Sequence, residues 1–190
     1  MIFGRPDYFS PMENTLKVHD KEFKLYITAE KIQQQIFSMG EKINQRFANT
    51  DPLFLAILNG SFMFASDLMK QVCIPSEISF VKLASYQGTH STGNVKTLVG
   101  LDIDIKDRTV IIIEDIVDTG KTLSEFLPVL KSFQPKEILI ASLLFKPAAL
   151  KHDIKVDYSC FEVPNDFLVG YGLDYDGHGR NLPSIYQLVQ

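Results

Sequence analysis

The stretch Val110–Leu123, Val-Ile-Ile-Ile-Glu-Asp-Ile-Val-Asp-Thr-Gly-Lys-Thr-Leu, decides the fold of this 190-residue chain. Four β-branched residues run into two adjacent acids, and a short polar turn then opens an amphipathic segment. A continuous apolar run of this kind reads as a strand buried on both faces, as in a parallel sheet. If the strand continues one step, Glu114 and Asp115 point to opposite faces. Both acids then need solvent, a hydroxylated ligand or a metal, because an unpaired buried carboxylate is very costly. A solvated strand end is the plainer alternative.

The turn Asp118-Thr119-Gly120-Lys121-Thr122 suits an anion. Glycine lets backbone approach a ligand closely, successive N–H groups at a helix start form a nest, and two threonines add hydroxyl donors. Gly-Lys-Thr invites comparison with a triphosphate P-loop. That motif requires a glycine five residues before the Gly-Lys pair, and Asp115 stands there. An ordinary helix start remains the alternative for the turn alone. Coupled to the acid pair, it points to a sugar held by carboxylates with one phosphate beyond it.

Working outward, the apolar residues Ile32, Ile36, Met39, Ile43 and Phe47 recur at helical spacing across 28–47. Leu53–Leu58 reads as a buried strand, and 62–72 as a helix with Ser61 as its N-cap. Further strands are expected at 77–85, 98–101, 109–113 and 137–145, with weaker ones at 156–161 and 167–169. A helix is expected over 123–133, in which Pro128 marks a kink or a first-turn position. Strands alternating with helices predict an α/β fold, a mostly parallel twisted sheet flanked by helices. Ligands of such sheets bind at the carboxyl ends of the strands. Asn59-Gly60-Ser61, Glu114 to Thr122, and Lys146 all follow strand ends. Lys146 either snorkels to solvent or donates to a carbonyl of a ligand. The polar segment 85–96 reads as a binding loop or lid. Phe167, followed by the acids and bases of 174–180, suits a planar ligand beside a metal–phosphate complex. His178 reads as a turn residue.

Composition narrows the class. The apolar fraction of 45% and charged fraction of 22% are those of an ordinary globular protein, expected to form one domain. A net charge of −4 gives no electrostatic reason to expect nucleic acid. No apolar run approaches a membrane span, and no signal peptide is apparent at the N-terminus. Cys73 and Cys160 lie in apolar surroundings and read as buried free thiols, which fits a reducing cytoplasm.

The chain resembles the type I phosphoribosyltransferases, and more narrowly the hypoxanthine(-guanine) phosphoribosyltransferases. Val110–Leu123 matches the phosphoribosyl pyrophosphate (PRPP) motif. The narrower likeness rests on Leu58 to Phe64, Ser85-Tyr86 with Ser91-Thr92-Gly93, Lys146, Phe161 to Pro164, and Val169 to Tyr175. The resemblance implies a core over about 28–165, and a small hood from the N-terminal segment and about 166–190. It implies transfer of the phosphoribosyl group from PRPP to a 6-oxopurine in purine salvage, with Mg2+, by a homodimer or homotetramer. By the same resemblance Glu114 and Asp115 hold the ribose hydroxyls and, with Asp174, the metal. Asp118 is the acid placed against purine N7, and Asp118, Thr119, Gly120, Lys121 and Thr122 cradle the 5′-phosphate. Asn59, Gly60 and Arg180 meet pyrophosphate, in a loop that in this family often carries a cis peptide. Lys146 donates to the 6-oxo group, Phe167 stacks on the base, the Leu168 backbone reads its edge, and Ser85 and Tyr86 begin the lid. Two features depart from the family: Asn59 stands where many relatives carry Lys or Arg, and Gly177-His178-Gly179 is unusually glycine-rich. A xanthine- or guanine-preferring enzyme, and a PRPP-sensing regulator, are the alternatives on the same fold.

Overall fold

A computed structural model describes residues 15–84, 96–99 and 103–189. Its larger sheet contains β3 (Leu53–Leu58), β4 (Glu77–Ala84), β5 (Lys96–Val99), β6 (Thr109–Val117), β7 (Glu137–Phe145) and β8 (Tyr158–Glu162), in the order β5-β4-β3-β6-β7-β8. Five of these strands run parallel, and β5 pairs antiparallel with β4 at one edge. The α/β fold with a mostly parallel sheet is therefore as expected.

Strand alternation divides the apolar residues between two layers. Phe54, Ala56, Ile111 and Ile113 pack beneath α1 (Ala29–Arg46) and α2 (Phe62–Met69). Leu53, Leu55, Val110 and Ile112 face the other way, onto Leu123, Phe126 and Leu130 of α3 (Lys121–Ser132). Helix α1 starts where expected: Thr28 is its N-cap, and its hydroxyl accepts from the Lys31 N–H at 3.4 Å. Ser61 precedes α2 without capping it, because its hydroxyl donates back to the Ile57 carbonyl at 2.6 Å. Pro128 lies inside α3, well past the first turn.

The central strand differs from its expected form in length and in pleat. It runs on through both acids to Val117. The ladder pairs Glu114 with Ser142 and Ser159, then Ile116 with Leu144 and Phe161. Asp115, Leu143 and Cys160 drop out in one row across three strands. The pleat changes phase there: Ile113 and Ile116, three apart, both face the α1 layer, while Val117 faces α3. Beside this crease the Ser142 hydroxyl donates to the Leu144 carbonyl (2.5 Å), and the Ser159 hydroxyl to the Phe161 carbonyl (3.1 Å).

A second, antiparallel sheet joins the two ends of the described chain. It consists of β1 (Thr15–Val18), β2 (Lys21–Ile27), β9 (Leu168–Val169) and β10 (Ile185–Leu188), ordered β1-β2-β10-β9. Three buried residues, Val18, Phe23 and Val169, form its own core. Both cysteines are free, but only Cys160 is buried. Cys73 is exposed, in the loop after α2, where its amide donates to the Asn44 side-chain oxygen. No helix among the described residues is long and apolar enough to cross a membrane.

Candidate active site

The carboxyl ends of β3, β6 and β7 converge as the parallel topology requires. Glu114 is buried, and its Oε2 has no hydrogen-bond partner. Burial, and then the neighbouring Asp115 charge, push its pKa well above the ordinary carboxylate value. Asp115 leaves the ladder at the crease and bends over the β3 turn. Its Oδ1 accepts from the Ile116 N–H at 2.9 Å, and a Cβ on Gly60 would collide with its carboxylate. Burial raises the Asp115 pKa to about 6; nearby backbone hydrogen bonds and the Arg180 charge pull it down, and Asp174 pushes it up. Two neighbouring carboxylates with too few donors are poised for hydroxyls or a cation.

Beyond β6, Gly120 adopts φ +78°, a left-handed conformation that favours glycine, and α3 begins at Lys121. The Lys121 amide donates to the Thr119 hydroxyl at 3.3 Å. The Lys121 ammonium lies toward Glu125 at 4.0 Å, so this residue faces the turn with its backbone. Thr122 is exposed. Leu150, His152 and Ile154 pack beneath Gly120, and the Lys151 N–H donates to the Thr119 carbonyl at 3.0 Å. The segment after β7 is thus the floor of the Asp118–Thr122 turn, a supporting role that the sequence did not show.

Register brings Lys146 to Asp118. Val117 pairs with Phe145, so the next residue on each strand stands side by side. The Lys146 ammonium donates to Asp118 Oδ2 at 2.9 Å. The lysine side chain is 8% exposed and the aspartate 43%, so the pair opens to solvent through the acid. Lys146 therefore does not snorkel. A buried ammonium beside an accessible carboxylate presents a donor and an acceptor together to whatever binds there.

The remaining candidates come from the smaller sheet and its loops. Leu168 is buried in β9, and Phe167 is half-exposed, edge-on to Tyr175 at 5.7 Å and tilted against Phe23. The Lys21 ammonium lies 4.7 Å from the Tyr175 ring centroid and 5.8 Å from that of Phe167, a cation–π arrangement that tethers β2 to this aromatic group. Arg180 pairs with Asp174 at 2.6 Å and donates to the Gly172 carbonyl at 2.6 Å. The other Asp174 oxygen accepts from the Gly177 N–H. Gly172 is pressed against the Gly60 carbonyl, where a Cβ would collide. Gly60, Asp115, Gly172, Asp174 and Arg180 thus form one cluster. Asn59 is exposed, and the Leu58–Asn59 peptide is cis. Ser85 and Tyr86 lie outside the described residues. Among the described residues no three of His, Cys, Asp and Glu are gathered into a ready-made cation cage.

Residues 26–176 match the family model described as the phosphoribosyl transferase domain. The chain belongs to the phosphoribosyltransferase family. Among curated phosphoribosyltransferases it is 39% identical to hypoxanthine phosphoribosyltransferase of Buchnera aphidicola over 94% of this chain and 98% of that one. It is 41% identical to hypoxanthine-guanine phosphoribosyltransferase of Bacillus subtilis over 88% of this chain and 93% of the relative. The solved hypoxanthine phosphoribosyltransferase of Trypanosoma cruzi, in complex with the product IMP, superposes with a TM-score of 0.83 at 30% identity, covering 91% of this chain and 97% of that one. The large sheet is thus that of a type I phosphoribosyltransferase.

Proposed function

We propose that this phosphoribosyltransferase is the purine salvage enzyme that transfers the 5-phosphoribosyl group from PRPP to hypoxanthine and guanine, giving IMP or GMP and pyrophosphate. The Asp118–Lys146 pair carries this reading. A 6-oxopurine presents a carbonyl oxygen and N7 side by side. The Lys146 ammonium donates to the oxygen, and Asp118 accepts the proton from N7 as N9 attacks C1 of the ribose. The C1–oxygen bond to pyrophosphate breaks, and pyrophosphate leaves with the electron pair. Adenine offers an amino group in place of the carbonyl and sets donor against donor.

Glu114 and Asp115 accept from the ribose hydroxyls, and their negative charge stabilises a cationic, oxocarbenium-like transition state. The unpartnered Glu114 oxygen is the kind of vacancy that a hydroxyl fills. The backbone and hydroxyls of Asp118 to Thr122 take the 5′-phosphate at the start of α3. Asn59, Gly60 and Arg180 meet pyrophosphate, Phe167 stacks on the base, and the Leu168 backbone reads its edge. The smaller sheet and its loops act as the hood over the core, and Ser85 and Tyr86 begin the lid.

The donor set fits Mg2+. Hard carboxylate oxygens from Asp115, Glu114 and Asp174, without a complete protein cage, suit an ion that arrives with substrate phosphates and keeps its waters. When bound, Mg2+ neutralises developing charge on the departing pyrophosphate. The chain works in the cytoplasm as a homodimer or homotetramer.

Steady-state kinetics with PRPP and Mg2+ against hypoxanthine, guanine, xanthine and adenine test this reading. Hypoxanthine and guanine are expected to be consumed, and adenine is not. Lys146→Ala should lower kcat/KM for the two 6-oxopurines by about 10- to 100-fold, the value of a hydrogen bond from a charged donor, and leave adenine unchanged. Consumption of none of the four bases overturns the proposal.

A further inference from the structure

Tyr171 has no part in the chemistry described above, yet it is the largest fully buried side chain among the described residues. Its backbone sits at φ +49°, a left-handed conformation that is strained for a non-glycine residue and persists only where the surroundings enforce it. The phenol reaches across from the smaller sheet to the helices of the larger one. It donates to Asp67 Oδ2 of α2 at 2.5 Å. The same oxygen accepts from Gln33 Nε2 of α1 at 2.6 Å, and Asp67 Oδ1 accepts from Lys70 Nζ at 2.8 Å. These are short, charge-assisted bonds, the strong kind. Burial works against the Asp67 carboxylate, but the bonds from Lys70, Tyr171 and Gln33 outweigh it and hold its pKa below the ordinary value. Burial, and then the bond to Asp67, raise the tyrosine pKa, so it remains a protonated donor.

What this bond fixes is visible on either side of it. The residue after Tyr171 is Gly172, whose Cα abuts the Gly60 carbonyl and whose own carbonyl accepts from Arg180. The Gly172 N–H donates to the Arg180 carbonyl at 2.9 Å, and the Tyr171 N–H to the Leu182 carbonyl at 2.8 Å. At the other end, α2 continues directly from the Asn59-Gly60-Ser61 turn. The phenol–carboxylate bond thus closes a ring of contacts: Gly60, α2, Asp67, Tyr171, Gly172, and back to Gly60.

We infer that Tyr171 is a positioning residue for the pyrophosphate end of the site: through Asp67 it sets the separation of the Gly60 turn from Arg180 and Asp174. The inference rests on the transferase reading above. Lys146, Asp118 and the anion turn lie outside the ring, so the purine side of the site should not feel its loss.

Tyr171→Phe deletes one hydroxyl and keeps the ring. It should raise KM for PRPP in the forward direction, and for pyrophosphate in the reverse direction, by about 10-fold, as befits a lost hydrogen bond to a charged group. KM for hypoxanthine and kcat should stay within twofold. Asp67→Asn should act in the same direction, because it takes the charge from the acceptor that Tyr171, Gln33 and Lys70 share, and the double variant should fall short of the product of the two single effects, because both act on the phenol–carboxylate bond. A merely structural role would lower the melting temperature and leave the PRPP and pyrophosphate constants alone; that result overturns the inference. So does an equal rise in KM for all substrates, or single effects that multiply in the double variant. An active wild type with unchanged constants in Tyr171→Phe removes this inference alone. A wild type that transfers no phosphoribosyl group removes the transferase reading and this inference together.

Discussion

The two halves of the site are built in opposite ways. On the sheet side, Glu114, Asp115, Asp118 and Lys146 stand at the ends of strands whose residues are buried on both faces, so their positions are set by the apolar layers beneath them. On the side of the smaller sheet, Phe167, Asp174 and Arg180 ride on short strands and loops; Leu168, Tyr171, Leu173 and Ile185 anchor these in the main core, the Tyr171–Asp67 bond ties them to α2, and Arg180 pairs with Asp174. The difference teaches a division of labour. On the proposed reading, the groups that handle protons and developing charge sit at the ends of strands buried on both faces, and the groups that admit and release ligands sit on loops tied down by a few specific contacts.

The comparison is sharpest at Asp118. Asp118→Asn keeps the shape of the side chain and of the turn after β6 but removes the proposed proton acceptor. Turnover should fall by about 10²- to 10⁴-fold, as for loss of a general base, while PRPP affinity in direct titration stays close to wild type. An unchanged turnover number would remove Asp118 from the reaction. On the hood side, Phe167→Ala should raise KM for the purine by about 5- to 10-fold, the value of one stacked base, with kcat at saturation nearly preserved. A collapse of kcat of the size seen at Asp118 would break the division between the halves. The smallest effect concerns the ligand-free protein. Burial holds the Asp115 pKa near 6, above its unfolded value, so this group favours the folded state most below pH 4 and loses that contribution as pH rises through 6. Asp115→Asn should therefore melt roughly 3 °C above wild type at pH 8 and level with it at pH 4. A gap independent of pH would show that the carboxyl is not titrating in this window.

The same contrast decides what could be read from the residues alone. Leu53–Leu58 and Glu137–Phe145 were legible to the residue, because a strand covered on both faces is an unbroken apolar run between turn signals. Of the smaller sheet only β9, expected at 167–169, was legible; β1, β2 and β10 were not. In Lys21–Ile27 the apolar residues Phe23, Leu25 and Ile27 alternate and β1 lies one tight turn away, but only Phe23 and Ile27 are buried and the partners in β10 lie far along the chain. The acids, the glycine turn and Lys146 could be named from the sequence, and the family likeness gave them roles. Their mutual arrangement could not be read. The Asp118–Lys146 bond depends on the β6–β7 register, and the bend of Asp115 over Gly60 depends on a ladder defect that no residue type announces. Cys73 was misread for a related reason. Its neighbours Val72 and Ile74 are apolar, but Asn44 holds the loop by its backbone and leaves the thiol outside.

The crease through Asp115, Leu143 and Cys160 has a consequence for anyone rebuilding this scaffold. It makes the tips of β6, β7 and β8 a single exchangeable cassette, because all three change phase in the same row. Transplanting a new ligand turn onto β6 alone, with a tip that lacks the phase change, would rotate its acids to the opposite face. The seam for such a graft lies two rows lower, at Ile113, Ala141 and Tyr158, where the three strands still share a regular pleat.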